Sequence, residues 1–159
     1  MNGSSRPRGW TLIPPPLLFV LPLVFGLILH GRFPLLHVSA PVAGVLRWLG
    51  IALIVLGVAH ALSSAALFAH SRTTIVPHRR ASVIVEGGAY RWTRNPMYVG
   101  LALIYVGVSA LFAALWPLLF LLLPVLVMDQ RVIPMEERQM EEAFGVDYTA
   151  YKARVRRWL

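Results

Sequence analysis

The chain contains no cysteine in its 159 residues, which excludes disulfides, thiolate metal sites and a cysteine nucleophile. Acidic residues are scarce too, seven Asp and Glu against fifteen Lys and Arg, and all but Glu86 lie after Met128. The histidines His30, His37, His60, His70 and His78 show no metal-ligand spacing, so a metal hydrolase is disfavoured and no metal is expected. His60, inside an apolar run, reads as a polar site or as a hydrogen-bonding partner of a neighbouring helix. A phosphate loop and a Gly-x-Gly-x-x-Gly fingerprint are both missing, which disfavours a soluble dinucleotide or Rossmann methyltransferase fold.

Apolar residues fill the space. The composition is 57% hydrophobic and 14% charged with a mean hydropathy of +0.65, values rare in a soluble fold of this size; the chain reads as a single-domain integral membrane protein. Gly9 to Leu29 and Trp48 to Ala69 are uncharged, each near the ~20 residues needed to span a bilayer core. Pro14, Pro15 and Pro16 interrupt the first run, so its helix is expected to begin at the prolines. Arg32, Pro34 and Pro41 mark a connecting loop. The short basic start, Met1 to Arg8, lacks a convincing cleavage site after it and reads as a retained anchor. Asn95 to Met128 is uncharged; as one helix it would run about 51 Å at 1.5 Å per residue, against a core of about 30 Å. A break near Ala113 to Pro117, giving a hairpin of two helices, resolves the mismatch.

The fold expected is therefore all-α and polytopic. About four transmembrane helices are expected, at about 10–30, 48–69, 97–112 and 114–128, with a loop over 70–96 and an amphipathic C-terminal segment over 129–159. Four spans put both termini and the basic loop on one side, and the positive-inside rule makes that side cytoplasmic, in the plasma (inner) membrane. The net charge of +8 then points to anionic lipid headgroups rather than nucleic acid. No charged residue lies inside a span, which argues against a transporter.

Residues 87–100, Gly-Gly-Ala-Tyr-Arg-Trp-Thr-Arg-Asn-Pro-Met-Tyr-Val-Gly, crowd arginines, aromatics and a helix start onto this boundary. Asn95 reads as an N-cap and Pro96 as the first helical residue. The helix-start amides, with Arg91 and Arg94, make a positive pocket for a carboxylate or phosphate. A plain aromatic belt at a membrane helix start explains the same residues. Just upstream, Ser82-Val83-Ile84-Val85 reads as extended. In the tail, Glu136 and Glu137 follow the last span, where a carboxylate can face the loop arginines or a cationic ligand. Glu141 and Glu142 read as a solvated face, Gly145 as a helix stop, and Tyr148, Tyr151, Val155, Trp158 and Leu159 recur at helical spacing.

The sequence Gly88-Ala89-Tyr90, then Arg94 to Gly100, then Glu136-Glu137, then Phe144 to Tyr151 resembles the isoprenylcysteine carboxyl methyltransferase and phospholipid methyltransferase superfamily of membrane enzymes, over roughly residues 70–159. The resemblance implies S-adenosylmethionine as methyl donor. It implies donor contacts from Ser82, Val83, Ile84, Val85 and Tyr90, from the helix-start motif Asn95, Pro96, Met97 and Tyr98, and from Glu136 with its partner Glu137. The family's acceptor-side arginine falls nearest Arg131, one residue out of register, so Glu136 and Arg131 are the expected catalytic pair. Many members have a histidine where this chain has Asn95, and an amide does not titrate near neutral pH; a binding role survives there, a proton-abstracting one does not. The implied reaction is methyl transfer to a lipophilic or membrane-embedded acceptor, an isoprenylcysteine-like carboxylate or a phospholipid amine, with membrane lipids as partners. The alternative is a non-catalytic lipid-binding or assembly module that retains the fold.

Overall fold

The structure, a computed structural model, describes residues 14–70 and 83–159. Among these residues the chain is all-α. The helices are α1 (Pro15–Arg32), α2 (Ala40–His70), α3 (Pro96–Leu111), α4 (Leu115–Phe120), α5 (Leu122–Val127), α6 (Ile133–Phe144) and α7 (Val146–Arg154). A 3-10 turn, Gly88–Arg91, precedes α3, and a π-helical turn, Met128–Val132, joins α5 to α6. Three helices are long and apolar enough to cross a membrane: α1, α2 and the continuous run Leu115–Phe144, which is uncharged only as far as Met128, so that Glu136 and Glu137 lie in its charged end beyond the apolar part; α3 is a shorter apolar helix. The protein is an integral membrane protein. Large exposed apolar side chains such as Leu21, Val55, Leu62 and Leu122 lie on these helices, where lipid rather than water meets them.

Proline shapes the helix starts. The first helix begins within the proline run, where a missing N–H costs no hydrogen bond. Pro41 lies in the first turn of α2 for the same reason, not in the loop expected from sequence. The apolar run after Asn95 breaks at Phe112–Ala114, where Ala113 takes a positive φ of 49°.

The spans approach closely because facing side chains are missing. Gly50 and Gly57 of α2 meet Gly107 and Gly100 of α3: a Cβ on Gly57 would stand 2.7 Å from the Gly100 carbonyl oxygen, and one on Gly107 would stand 2.8 Å from that of Gly50. Backbone-to-backbone contact of this kind substitutes for a hydrophobic driving force that lipid does not provide. In the same way Gly26 of α1 lies against the backbone of Pro117, 2.7 Å from an added Cβ. Between α1, α3 and the π-helical turn sits the main core: Phe19, Tyr105, Met128, Val132 and Ile133. Tyr105 satisfies its buried hydroxyl by donating to the Pro117 carbonyl at 2.8 Å.

The tail departs from a continuous interfacial helix. Gly145, at φ 51°, turns the chain between α6 and α7, and α7 buries Tyr148 and Tyr151. Helix α7 stops at Arg154, and residues 155–159 run back as a strap along residues 93–95. There Thr93 and Arg156 form an isolated parallel bridge, with the Arg94 N–H donating to the Arg156 carbonyl at 2.9 Å. Trp158 therefore belongs to the strap and not to a helical stripe.

Candidate active site

Tyr90 is set by two elements. Gly88, at φ 56°, lies so close to Leu67 of α2 that a Cβ would stand 2.6 Å from its Cδ1, which seats the 3-10 turn on the end of α2. The Tyr90 ring meets Phe68 edge-on at 5.2 Å, and the Tyr151 hydroxyl donates to the Tyr90 carbonyl at 2.8 Å. The Tyr90 hydroxyl is buried without a hydrogen-bond partner among the described residues. Burial, followed by the nearby Tyr151 and Glu136, pushes its ionisation well above the ordinary phenol range.

One turn into α3, Tyr98 donates its hydroxyl to Glu136 Oε1 at 2.7 Å. This joins the start of α3 to α6. Burial pushes the Glu136 carboxyl up to about 7; the Tyr98 hydrogen bond pulls the other way, and Glu137 adds to the rise. No cation pairs with Glu136 among the described residues, whereas Glu137, 6% exposed, is surrounded by them. Arg157 contacts it with Nη2 at 2.8 Å and Nε at 3.2 Å, Arg94 with Nη2 at 3.2 Å, and Lys152 with Nζ at 3.8 Å. Adjacent glutamates thus have opposite surroundings. Arg94 spends one nitrogen on Glu137; its Nε and Nη1 are buried with no partner among the described residues.

Asn95 does not cap α3 with its side chain. Its Nδ2 donates to the Arg157 carbonyl at 2.9 Å, and its N–H donates to Thr93 Oγ1, which in turn donates to the same carbonyl at 3.1 Å. The Val99 amide makes the first bond of the helix ladder to the Asn95 carbonyl, and the Tyr98 amide donates to the same carbonyl, which removes one of the helix-start donors expected to hold an anion. Pro96 is buried and Met97 half-buried at the helix start; Val85 is buried, Ile84 half-buried and Val83 exposed, in a stretch without helix. Ser82 lies outside the described residues. Arg131 is exposed and makes no ion pair among the described residues. Arg157, Lys152 and Thr93 were not singled out by sequence reasoning; their partners lie up to 64 residues away, and no local spacing signals such a pairing.

Beside the turn an open groove of about 480 Å³, mostly apolar, is lined by Ser63, Ala66, Leu67 and His70 of α2 and by Gly88 and Ala89. No group of three or more metal-ligating side chains occurs among the described residues.

The sequence profile of the phospholipid methyltransferase family matches residues 45–147, well over half the chain. The chain belongs to the phospholipid methyltransferase family. The match takes in α2 from residue 45 onward, the 3-10 turn, α3 and the acidic pair, and thus the elements that carry Tyr90, Tyr98 and Glu136; the strap lies beyond it. Neither a curated protein nor a solved structure matches the chain.

Proposed function

We propose that this member of the phospholipid methyltransferase family transfers a methyl group from S-adenosylmethionine to a lipophilic acceptor, at the junction of the 3-10 turn, α3 and α6. The observation that carries the reading is a pair of incompletely partnered groups at this junction: Glu136 without a cation, and Arg94, paired with Glu137 through Nη2, with two buried nitrogens unpartnered among the described residues. The donor is a sulfonium cation with an ammonium and a carboxylate, and these residues fit it. Glu136 would hold the cationic end, Arg94 the carboxylate, and the Tyr90 hydroxyl and ring a polar or cationic edge. When bound, the donor supplies an activated methyl group. The protein's own part is to orient the acceptor and exclude water.

The groove between α2 and Gly88–Ala89 supports a lipophilic acceptor, since its walls are apolar and α2 itself is a membrane span. A carboxylate acceptor needs no base. An amine must lose a proton; the Asn95 amide is engaged and does not titrate, and Glu136, its carboxyl pushed up to about 7 by burial, would serve as the base.

The test is calorimetric titration of the purified protein in detergent with S-adenosylmethionine. Micromolar binding is expected, weakened about 10-fold or more in Glu136→Gln, in line with the loss of a charge-assisted contact of about 1.5–3 kcal/mol. Absence of binding to folded wild-type protein, with and without lipid, would overturn the reading in favour of a non-catalytic lipid-binding module.

A further inference from the structure

Two neighbouring carboxylates in a buried site repel, and only one of them can be offered to a cationic ligand unless the other is neutralised. Here the neutralising cations come from three separate elements: Arg94 from the turn before α3, Lys152 from α7, and Arg157 from the strap. Arg157 makes the closest contacts of the three with Glu137, through two nitrogens, and its Nη1 also reaches Asp129 Oδ1 at 3.2 Å. Asp129 accepts a further bond from the Trp158 indole at 3.0 Å. The Arg157 backbone is held independently, its carbonyl accepting from both Thr93 Oγ1 and Asn95 Nδ2. The guanidinium is thus aimed by Glu137 and Asp129, while Thr93 and Asn95 fix the backbone that carries it.

We propose that Arg157 is a positioning residue of this site: locked by Thr93, Asn95 and Asp129, it neutralises Glu137 and so leaves Glu136 as the single carboxylate offered to the cationic end of the ligand. Asn95 then acts through the strap and not as a ligand contact of its own. The proposal rests on the donor-binding reading above. Glu136 is faced by Tyr98 of α3, by Tyr90 of the turn and by Glu137; Glu137 is faced by Arg94, Lys152, Arg157 and Tyr148. Removing Arg157 leaves Glu137 with less positive charge to offset it, so Glu136 gives up its proton at higher pH.

The experiment measures the affinity for S-adenosylmethionine from pH 5.5 to 9 in the full chain, for wild type, Arg157→Gln, Arg157→Lys and the double variant Glu137→Gln/Arg157→Gln. In Arg157→Gln the midpoint at which affinity rises with pH is expected to move up by about one pH unit, with most of the lost affinity restored above it. Arg157→Lys retains the charge and should shift the midpoint by less. The double variant, having lost both charges, should return it toward wild type. A uniform loss at every pH, or a midpoint that stays put in Arg157→Gln, overturns the positioning role while leaving donor binding by wild type intact. If Arg157→Gln does not fold, Asn95→Ala with Thr93→Val, which frees the strap backbone, is expected to give the same upward shift, and an unmoved midpoint there overturns it equally. Wild-type protein that is folded and binds no donor overturns both this inference and the reading beneath it.

Discussion

At the scale of single residues, the contrast between Glu136 and Glu137 is the one the proposed chemistry rests on. Raising a carboxyl from its ordinary 4.5 to about 7 has opposite consequences for folding and for binding. For folding, the group contributes stability that is fully present below pH 4.5 and lost as pH rises through about 7, because the folded state holds the proton more tightly than the unfolded state. A cationic ligand needs the carboxylate, so its affinity should rise as pH increases toward 7 and level off above, with proton release on binding below pH 7. Calorimetry in buffers of different ionisation enthalpy measures that proton. Tyr98→Phe removes the hydrogen bond that stabilises the carboxylate, so the midpoint should move to higher pH by about one unit. In Glu136→Gln the pH dependence over this range should vanish. The sequence brought Glu136 forward as a scarce acid just beyond the last span and Tyr98 as part of the aromatic stretch 87–100; nothing in composition or spacing announces that these residues, 38 apart, touch.

At the scale of elements, glycine sets the geometry in two different ways. Gly57 and Gly100 allow two helix backbones to meet, and Gly57→Val would force them apart. Overpacking of this kind costs about 1–3 kcal/mol, measured as a lowered unfolding temperature in detergent, with Gly44, half-buried but with nothing within 4 Å of an added Cβ, as a control that replacement by Ala should not destabilise. Gly145 has equally open space around it, yet its φ of 51° and ψ of −118° are unfavourable for any L side chain. Gly145→Ala should therefore destabilise the α6–α7 turn by about 1–3 kcal/mol through backbone strain alone. It should also weaken donor binding, because α7 carries Lys152 and leads into the strap. The glycine match between α2 and α3 was visible in the chain as two seven-residue spacings, Gly50 to Gly57 and Gly100 to Gly107. Its meaning was not, because a spacing on one helix says nothing about which other helix faces it. Gly145, by contrast, was legible as a helix stop, since the requirement for positive φ is local.

At the scale of the whole molecule, the absence of cysteine makes orientation directly measurable. In the four-span arrangement expected from the sequence, single cysteines at Leu159 and at Gly31 should react with a membrane-impermeant maleimide from opposite sides of the membrane; labelling of both from one side would rule that arrangement out. The all-α membrane character was written in the sequence by itself, since uncharged runs of about 20 residues can satisfy their backbone in lipid only as helices. The joint motif pattern was likewise enough to suggest the family. What only the tertiary structure decided is which acid is neutralised and which is left without a cation among the described residues. Glu136 and Glu137 are neighbours with the same chemistry, and they differ because Arg94, Lys152 and Arg157 converge on one of them from distant positions. Periodicity and capping act over a few residues; the field at a buried carboxylate is summed over whatever the packed helices and the returning strap bring within a few ångströms, and that sum exists only in the folded chain.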